Sequence, residues 1–329
     1  MHIAVTGSIA TDHLMRFRGR FRDSLIVDQL DKISLSFLVE DLEVRRGGVA
    51  ANIAFGMGCL GLRPILVGAV GSDFVVDYRS WLNRHNVDTE AVRISELRHT
   101  ARFVCTTDDD NAQIASFYAG AMSEARDIEL SPIVDRTGAL ELVVISANDP
   151  DAMLRHTDEC RARGYRFAAD PSQQLAWMDG EGIRLLVDGA GYLFTNEYEA
   201  ALLEQKTGWS AADVLDRVLV RVTTLGPRGA RIDRLGAEPI VVPAAEELRK
   251  ADPTGVGDGF RAGFLAGVGW GLPLERSAQV GALLATYVIE TIGTQEYELS
   301  QSNFLERLAK AYGSDAADEV APHVRCPRP

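Results

Sequence analysis

The sequence predicts an α/β fold of three layers, in which helices cover both faces of a mostly parallel sheet. The first observation is that short β-branched apolar runs alternate with stretches of helical length along most of the chain. The second is that two segments, 33–45 and 100–118, break this alternation and have the pattern of strands outside the parallel sheet. We interpret these two segments as a small β-sheet lid that is inserted into the main domain in two pieces.

The predicted strands are short apolar runs followed by Gly, Ser, Asn or Asp, at 3–6, 65–67, 142–145, 167–169, 192–194 and 220–224. The predicted helices between them are 50–60, 77–86, 152–163, 181–188 and 197–206. Ligands of such sheets bind at the carboxyl ends of the strands. The first candidates for a site are therefore the residues that follow the strands, namely Gly7, Ser8, Asn148, Asp149, Asp170, Pro171, Asn196 and Gly226.

The lid segments differ in pattern. Residues 33–45 begin with a period near two, and 100–118 form a predicted hairpin around the turn sequence Asp-Asp-Asp-Asn. The domain boundaries that follow are 1–11, 47–98 and 119–329 for the α/β domain, and 12–46 and 99–118 for the lid. The last fifteen or so residues are predicted to be a frayed tail.

Composition limits the class of protein. The chain has 329 residues, of which 46% are hydrophobic and 25% charged, so it is a globular protein and not a disordered one. Its net charge of −13, without a basic stripe, argues against a nucleic-acid partner. The four cysteines are scattered, which argues against a disulfide framework or a zinc site. No signal peptide and no apolar run of ~18 residues is found, so we expect a cytoplasmic protein without a membrane partner.

The most informative segment is DPTGVGDGF at 252–260, which opens a helix. Gly255 and Gly257 allow a tight turn, and the free amides of a helix start bind anions with the help of the helix dipole. Asp258 falls in the first turn, beside that anion site. This arrangement suits phosphoryl transfer, since the amides stabilise the phosphoryl oxygens while the carboxylate accepts a hydroxyl proton. The alternative is that Asp258 merely stabilises the start of the helix.

A second glycine pair, Gly47 and Gly48, also precedes a helix, and Asn52 lies inside its first turns. A ligand hydroxyl would bind the Gly48 amide and the Asn52 side chain, although glycine pairs start many helices. The two common nucleotide loops are missing. There is no GxxxxGK[ST] sequence, and TGSIATD stands where GxGxxG would follow the first strand.

Four segments together resemble the ribokinase-like (PfkB) family of carbohydrate and nucleoside kinases. GGVAAN at 47–52 and DPTGVGD at 252–258 are similar to the two family signatures. TNEYE at 195–199 resembles the NxxE element, and TTLGPRG at 223–229 resembles the TxGxxG nucleotide loop. The resemblance covers nearly the whole chain, from the first strand to GTQ at 293–295. It implies a ribokinase-like fold and an ATP-dependent kinase.

The resemblance also assigns roles on the phosphate side. Asp258 is implied as the catalytic base, and the amides of Gly255, Val256 and Gly257 as the anion hole. The implied ATP-binding residues are Asn196, Thr224, Gly226 and Gly229. Glu199, together with Asn196, is implied to organise Mg²⁺ through water, which suits the strongly held water shell of that ion. Asp252 and Thr254 match positions that hold an activating monovalent cation, here K⁺, with carbonyls from the loop near Gly293.

The candidate substrate residues are Ser8, Asp12, Gly48, Asn52, Phe103, Phe117, Gln173 and Gln174, of which the resemblance implies Asp12, Gly48 and Asn52. Asp12 would accept hydrogen bonds from two sugar hydroxyls. Val49 stands where ribokinases proper carry Lys, and DPSQQ replaces the DPNxR of many members. Gln173 and Gln174 therefore occupy the neighbourhood of the missing Arg, where a neutral amide suits the edge of a base.

Phe103 and Phe117 are equidistant from residue 110, the middle of the predicted turn. In that register the two rings face each other across the hairpin and offer a stacking surface for a flat base. The alternative is that both rings are buried in a core.

The run from Gly7 to Gln174 is similar to that of the actinobacterial adenosine kinases. We therefore expect ATP and adenosine as substrates, with transfer to the 5′-hydroxyl to give AMP. Two alternatives stay open: a sugar kinase for ribose or fructose, and a non-catalytic nucleoside-binding sensor.

The lid also predicts an assembly. Its short strands leave exposed edges and an apolar face, which a monomer has to cover. Two rings side by side on one hairpin cannot sandwich a base between them. If both stack on one base, one ring comes from a second subunit, which predicts a homodimer joined through the lids.

Overall fold

The computed structural model describes residues 1–25, 32 and 34–326. The main sheet is built from β1 Ile3–Thr6, β4 Ile65–Gly71, β5 Val92–Ser95, β8 Leu142–Ser146, β9 Phe167–Asp170, β10 Tyr192–Asn196, β11 Val220–Thr224, β12 Ala230–Asp233 and β13 Ile240–Val242. Their order across the sheet is β13-β12-β11-β10-β9-β8-β1-β4-β5. Among these strands, only the pairs β11–β12 and β12–β13 are antiparallel, so the prediction of a mostly parallel sheet is confirmed.

The helices are α1 Phe21–Ser24, α2 Val49–Cys59, α3 Tyr78–Arg84, α4 Ser131–Thr137, α5 Pro150–Arg163, α6 Gly180–Val187, α7 Glu197–Thr207, α8 Ala211–Leu215, α9 Val256–Gly269, α10 Leu274–Ile289, α11 Gln301–Tyr312 and α12 Ser314–Val320. Alternate residues of β1 enter two separate apolar clusters, as the alternation of side chains along a strand requires. Ile3 and Val5 pack with residues of α2, α9 and α10, whereas Ala4 packs with residues of α5, α6 and α7. The three-layer arrangement is therefore confirmed.

A second sheet of four strands forms the lid, with β2 Ala10–Phe17, β3 Val39–Gly47, β6 Ala101–Thr107 and β7 Gln113–Tyr118 in the order β3-β2-β6-β7. The hairpin of β6 and β7 is the one predicted. The strand predicted from residue 33 begins only at Val39, because the ladder with β2 ends where Phe17 pairs with Val39. Residue 33 itself lies outside the described residues. β2 was not predicted, because its apolar residues show no regular alternation.

The predicted frayed tail is wrong for the residues that the structure describes. Ala316, Val320 and Val324 are buried, and their spacing of four residues places them on one side of a helical path. The backbone amide of Arg325 donates to the carbonyl of Leu60 at 3.2 Å. The apolar stripe therefore holds the chain end against α2, while residues 327–329 lie outside the described ranges. Among the helices of the described ranges, none has the length and apolar content needed to cross a membrane.

Candidate active site

The glycine-rich segment forms the start of α9 at the carboxyl edge of the sheet. Gly255 has a φ of 76°, and a Cβ there would lie 2.7 Å from Cγ2 of Thr294, so the turn requires glycine. The Val256 amide donates a long bond of 3.4 Å to the Pro253 carbonyl. Within the described ranges, the amides of Gly255 and Gly257 have no hydrogen-bond acceptor. The turn therefore presents free N–H groups at the positive end of a helix of 14 residues.

Asp258 lies in the first turn of α9, beside these amides. Its Oδ2 accepts a hydrogen bond of 2.8 Å from Nδ2 of Asn52. Burial raises the pKa of Asp258 above its ordinary value, while the Arg261 guanidinium and the Asn52 amide oppose the shift and Glu199 adds to it. A carboxylate whose pKa is moved toward neutrality is a better acceptor for a hydroxyl proton. The geometry therefore suits a general base more than a helix cap.

Asn52 is held from its other side as well. Its Oδ1 accepts from Thr294 Oγ1 and from Gln295 Nε2, both at 2.9 Å. Gln295 Nε2 also donates to the Tyr78 hydroxyl at 2.6 Å, which in turn donates to the Gly47 carbonyl at 2.8 Å. The sequence predicted Asn52 as a substrate ligand. In the structure its side chain is instead hydrogen-bonded to Asp258 and orients that carboxylate.

One row of side chains crosses the lid. Asp12 on β2 pairs directly with Arg45 on β3 and with Phe103 on β6, and Phe103 pairs with Phe117 on β7. Paired residues of neighbouring strands point to the same face of a sheet. The two rings are 36% and 55% exposed, so the alternative of a buried core position is wrong. The predicted register of the hairpin is confirmed.

This row faces the glycine-rich turn. Arg45 Nη1 lies 3.9 Å from Oδ2 of Asp252, and a Cβ on Gly47 would come within 3.2 Å of Asp12 Oδ2. Burial raises the pKa of Asp12 to about 6, which Arg45 opposes and Asp252 reinforces. The predicted sugar-binding carboxylate is therefore near the phosphate side of the site.

Ser8 and Gly48 join the end of β1 to the start of α2. The Ser8 hydroxyl oxygen accepts from the Val49 amide at 3.0 Å, and Ser8 is buried. Gly48 has a φ of 97°, and a Cβ there would lie 2.6 Å from the Ser8 carbonyl oxygen. Ser8, predicted to bind substrate, thus satisfies the first amide of α2, and its O–H remains available to a ligand.

Gln173 and Gln174 lie in the 3₁₀ turn Ser172–Ala176 that follows β9. Gln173 is exposed, and its Oε1 accepts from the Ser172 hydroxyl at 2.7 Å. In the described part of the chain, no hydrogen bond joins either amide to the lid row. Their predicted place in one site with Asp12 and the phenylalanines stays a prediction.

Three of the four predicted ATP-binding residues line a pocket of about 480 Å³, and the fourth, Asn196, is not part of its lining. Thr224, Gly226 and Gly229 form one wall, and Val256 and Gly257 form the end nearest the anion hole. The remaining lining is mostly apolar, with Glu247, Lys250 and Thr286 as its polar members; the apolar ones are Pro227, Ala244, Ala245, Pro253, Phe260, Ala282, Ala285 and Ile289. Apolar walls with a few polar groups are typical of a site for a flat heterocycle.

The NxxE element is a capping box at the start of α7. Asn196 Oδ1 accepts from the Glu199 amide, and Glu199 Oε2 accepts from the Asn196 amide, both at 2.8 Å. The sequence did not reveal this structural use. Asn196 and Glu199 are thereby fixed relative to each other at the carboxyl end of β10.

A buried cluster lies beneath the turn, and of its members the sequence pointed to Asp170 and Glu199 but not to Arg261. Arg261 Nε donates to Asp170 Oδ1 at 2.6 Å, and Arg261 Nη2 lies 3.8 Å from Glu199 Oε2. Asp170 Oδ2 is buried without a hydrogen-bond partner among the described residues. Asp170 follows a predicted strand, and Arg261 lies three residues after Asp258 on the same helix face. These two positions are the features of the sequence from which the cluster could have been predicted.

The charge of this cluster favours a cation, but among the described residues no three His, Cys, Asp or Glu side chains are arranged to hold a metal ion directly. Asp170, Glu199 and Asp258 place three carboxylates around the single guanidinium of Arg261, which leaves a formal charge of −2 when all are ionised. The orphaned Asp170 oxygen is a further acceptor. Oxygen ligands of this kind, used mostly through water, are what Mg²⁺ prefers.

Asp252 and the loop at Gly293 meet as predicted. Asp252 Oδ1 accepts from the Thr254 amide at 2.9 Å, and Oδ2 accepts from the Gly293 amide at 3.2 Å. Burial pushes the pKa of Asp252 upward, but these bonds and Arg45 outweigh it and hold the pKa below its usual value. Both oxygens of this carboxylate thus accept from loop amides, and the monovalent-cation site beside it stays a prediction.

Comparisons with known proteins agree with this geometry. The family model described as pfkB family carbohydrate kinase matches residues 9–301. The nucleoside kinase of Methanocaldococcus jannaschii is 30% identical over 288 residues, which cover 86% of this chain and 92% of that protein.

Solved structures give the same result. The Burkholderia thailandensis nucleoside kinase in complex with inosine superposes with a TM-score of 0.82 and 31% identity, covering 94% of this chain and 99% of that one. Its complex with ADP-inosine gives a TM-score of 0.80 and 33% identity, covering 94% and 96%. The ribokinase-like fold is therefore confirmed, and the chain belongs to the pfkB family of carbohydrate kinases.

Proposed function

We propose that this protein is an ATP-dependent nucleoside kinase that phosphorylates the 5′-hydroxyl of adenosine to give AMP. The observation that carries the proposal is the lid row, in which a carboxylate and two exposed aromatic rings lie on the face turned toward the anion hole. A carboxylate binds a vicinal diol, and exposed rings stack on a base. A free sugar has no flat base that could stack on the rings. The nucleoside kinases among its relatives support the same substrate class.

The chemistry follows from the positions of the groups. Asp12 accepts hydrogen bonds from the ribose hydroxyls, which directs the 5′-hydroxyl toward Asp258. Asp258, oriented by Asn52, takes the proton as the hydroxyl oxygen attacks the γ-phosphorus. The amides of Gly255, Val256 and Gly257 stabilise the charge on the transferred phosphoryl group.

The phosphate donor binds across the sheet edge from the nucleoside. Its adenine occupies the apolar pocket at Thr224, Gly226 and Gly229. Mg²⁺ bound at Glu199, with Asn196 and water, would neutralise the phosphate charge. A monovalent cation such as K⁺ would be held by Asp252, Thr254 and carbonyls of the loop at Gly293, which would support the shape of the turn.

Inosine is the second candidate substrate, because the similar Burkholderia thailandensis structure is a complex with inosine. Stacking on Phe103 and Phe117 does not distinguish adenine from hypoxanthine, since both are flat purines. The two Gln side chains after β9 are the candidate readers of the base edge. Gln173 is exposed and Gln174 is partly buried, so Gln173 is the more accessible of the two to a ligand.

A substrate panel tests the proposal. Adenosine, inosine, ribose and fructose are each incubated with ATP and the purified enzyme, and the products are resolved by mass. We expect a nucleoside monophosphate and ADP, with adenosine turned over fastest. Preferred phosphorylation of ribose or fructose would identify a sugar kinase, and nucleoside binding without transfer would identify a sensor. The Asp258→Asn variant in the same panel controls for contaminating kinases.

We also propose a homodimer joined through the lids. Leu42 and Val44 on β3 and Ile114 on β7 are exposed apolar residues on the lid face opposite to the row of Asp12 and the two rings. A second lid packed on that face would cover them, and a ring of the second subunit would reach the nucleoside around the edge of the lid.

A further inference from the structure

A buried guanidinium lies under the anion-hole turn, and the one role described for it so far is its opposition to the raised pKa of Asp258. Arg261 on α9 is only 5% exposed, and it donates through Nε to Asp170 at the end of β9. The ring of Phe194 lies 6.0 Å from the guanidinium carbon. Burying a charged group is costly unless it is paired, so this guanidinium is retained only where its partners hold it in place.

The guanidinium also contacts the turn itself. A Cβ added to Gly257 would lie 2.8 Å from Nη1 of Arg261, which places the guanidinium directly against the backbone of that glycine. Gly257 is one of the residues whose amide faces the phosphate site. A change in the position of the guanidinium therefore acts directly on the anion hole.

The third contact is with the metal side of the site. Arg261 Nη2 lies 3.8 Å from Oε2 of Glu199, and the same oxygen accepts from the Asn196 amide at 2.8 Å. One planar group thus reaches three elements through three nitrogens: β9 through Nε, α9 through Nη1 and α7 through Nη2. A lysine, which has a single nitrogen, cannot make these contacts together.

We propose that Arg261 is a positioning residue for phosphoryl transfer, which fixes Glu199 and the Gly257 turn at a set separation on either side of the phosphate site. The inference rests on the proposed function, because it needs a phosphoryl group at this turn. Arg261 acts through Glu199 and Gly257. Asp12 and the two rings belong to the lid, so nucleoside binding does not depend on Arg261.

Substitution of Arg261 separates this role from a purely structural one. In Arg261→Gln we expect kcat to fall by about 10²-fold, the usual cost of misplacing catalytic groups by about 1 Å. The dissociation constant of adenosine, measured by calorimetry without ATP, should change less than twofold. Arg261→Lys should have a kcat about tenfold higher than that of Arg261→Gln, because it keeps the positive charge but not the planar group with three nitrogens. Asp170→Asn should reproduce part of the loss, since the carboxylate aims the guanidinium.

The matched control is Arg221 on β11, which is 7% exposed and donates to Glu204 at 2.7 Å. Arg221→Gln removes a similarly buried ion pair away from the turn, so it should lower the melting temperature and leave kcat within about twofold of the parent. Equal losses of kcat in the two glutamine variants would overturn the proposal.

Three further results decide the matter. An Arg261→Gln variant with kcat within about threefold of the parent overturns the proposal, as does a loss of adenosine binding in step with kcat. If that variant does not fold, Arg261→Lys and Asp170→Asn carry the test, and unchanged kcat in both overturns it. The unsubstituted enzyme is assayed alongside: no phosphoryl transfer there defeats the proposed function, whereas transfer with unaffected variants defeats only the role of Arg261.

Discussion

Asn52 Nδ2 and Asp258 Oδ2 are 2.8 Å apart, although the two residues are 206 positions apart in the chain. The contact joins the two glycine-rich helix starts, since Asn52 lies on α2 and Asp258 on α9. Thr294 and Gln295 fix the other side of the same amide. The carboxylate oxygen is therefore aimed by a side chain that has no rotational freedom of its own.

Removing this contact should slow the chemical step. Asn52→Ala deletes a hydrogen bond to a charged group, which is worth about 1.5–3 kcal/mol, so we expect kcat to fall roughly 10- to 100-fold. Steady-state kinetics with adenosine provides the measurement. Gln295→Leu, which keeps the Asn52–Asp258 bond and removes only its support, is the matched control and should fall less. A larger loss in the control would show that Asn52 is not the orienting residue.

Asp258→Asn keeps the shape of the side chain and removes the proton acceptor. Turnover should drop by roughly 10²–10⁴, the range for loss of a general base. Adenosine affinity should change little, because the proton transfer occurs only in the transition state. Both quantities are measured on one preparation, by turnover and by calorimetry. Near-normal turnover would exclude Asp258 as the base and leave it a helix cap.

The sequence predicted best where local backbone geometry dictates the residue. Gly48 and Gly255 have φ values of 97° and 76°, which residues other than glycine rarely adopt, so both helix starts were visible in the chain. The hairpin register was equally accessible, because a short turn fixes which residues pair. It placed Phe103 opposite Phe117 correctly.

The parts that escaped prediction depend on contacts between distant segments. Asp170 and Arg261 are 91 positions apart, and neither lies in a glycine-rich signature. β2 has partly exposed residues along most of its length, so no alternation of apolar residues marked it as a strand. The chain end appeared polar, and only its packing against α2 shows that Val320 and Val324 belong to the core.

Nucleoside affinity should depend on pH through Asp12. Its pKa is raised to about 6 from 3.8, so the carboxylate is mostly ionised at pH 7.5 and mostly protonated at pH 5. A protonated carboxyl loses acceptor capacity for the diol, so the adenosine dissociation constant should rise about tenfold between these values. Calorimetry across the range measures it. Asp12→Asn should bind more weakly at pH 7.5 and show a flat profile. A slope that survives in the variant would assign the titration to another group.

The shared-site dimer predicts complementation between two defective chains. An Asp258→Asn chain keeps both phenylalanine rings, and a Phe103→Ala chain keeps the general base Asp258. In a mixed dimer, the site that retains Asp258 receives Phe103 from its partner, so activity should exceed the sum of the two chains assayed alone. The control mixes the Asp258→Asn chain with a chain that carries both Phe103→Ala and Asp258→Asn, because no site in that mixture retains Asp258. Mass in solution at micromolar concentration completes the measurement. A monomeric mass together with no gain in activity on mixing would contradict the dimer. Each site would then have only its own two rings, of which one can stack on the adenine, and the kinase assignment would stand.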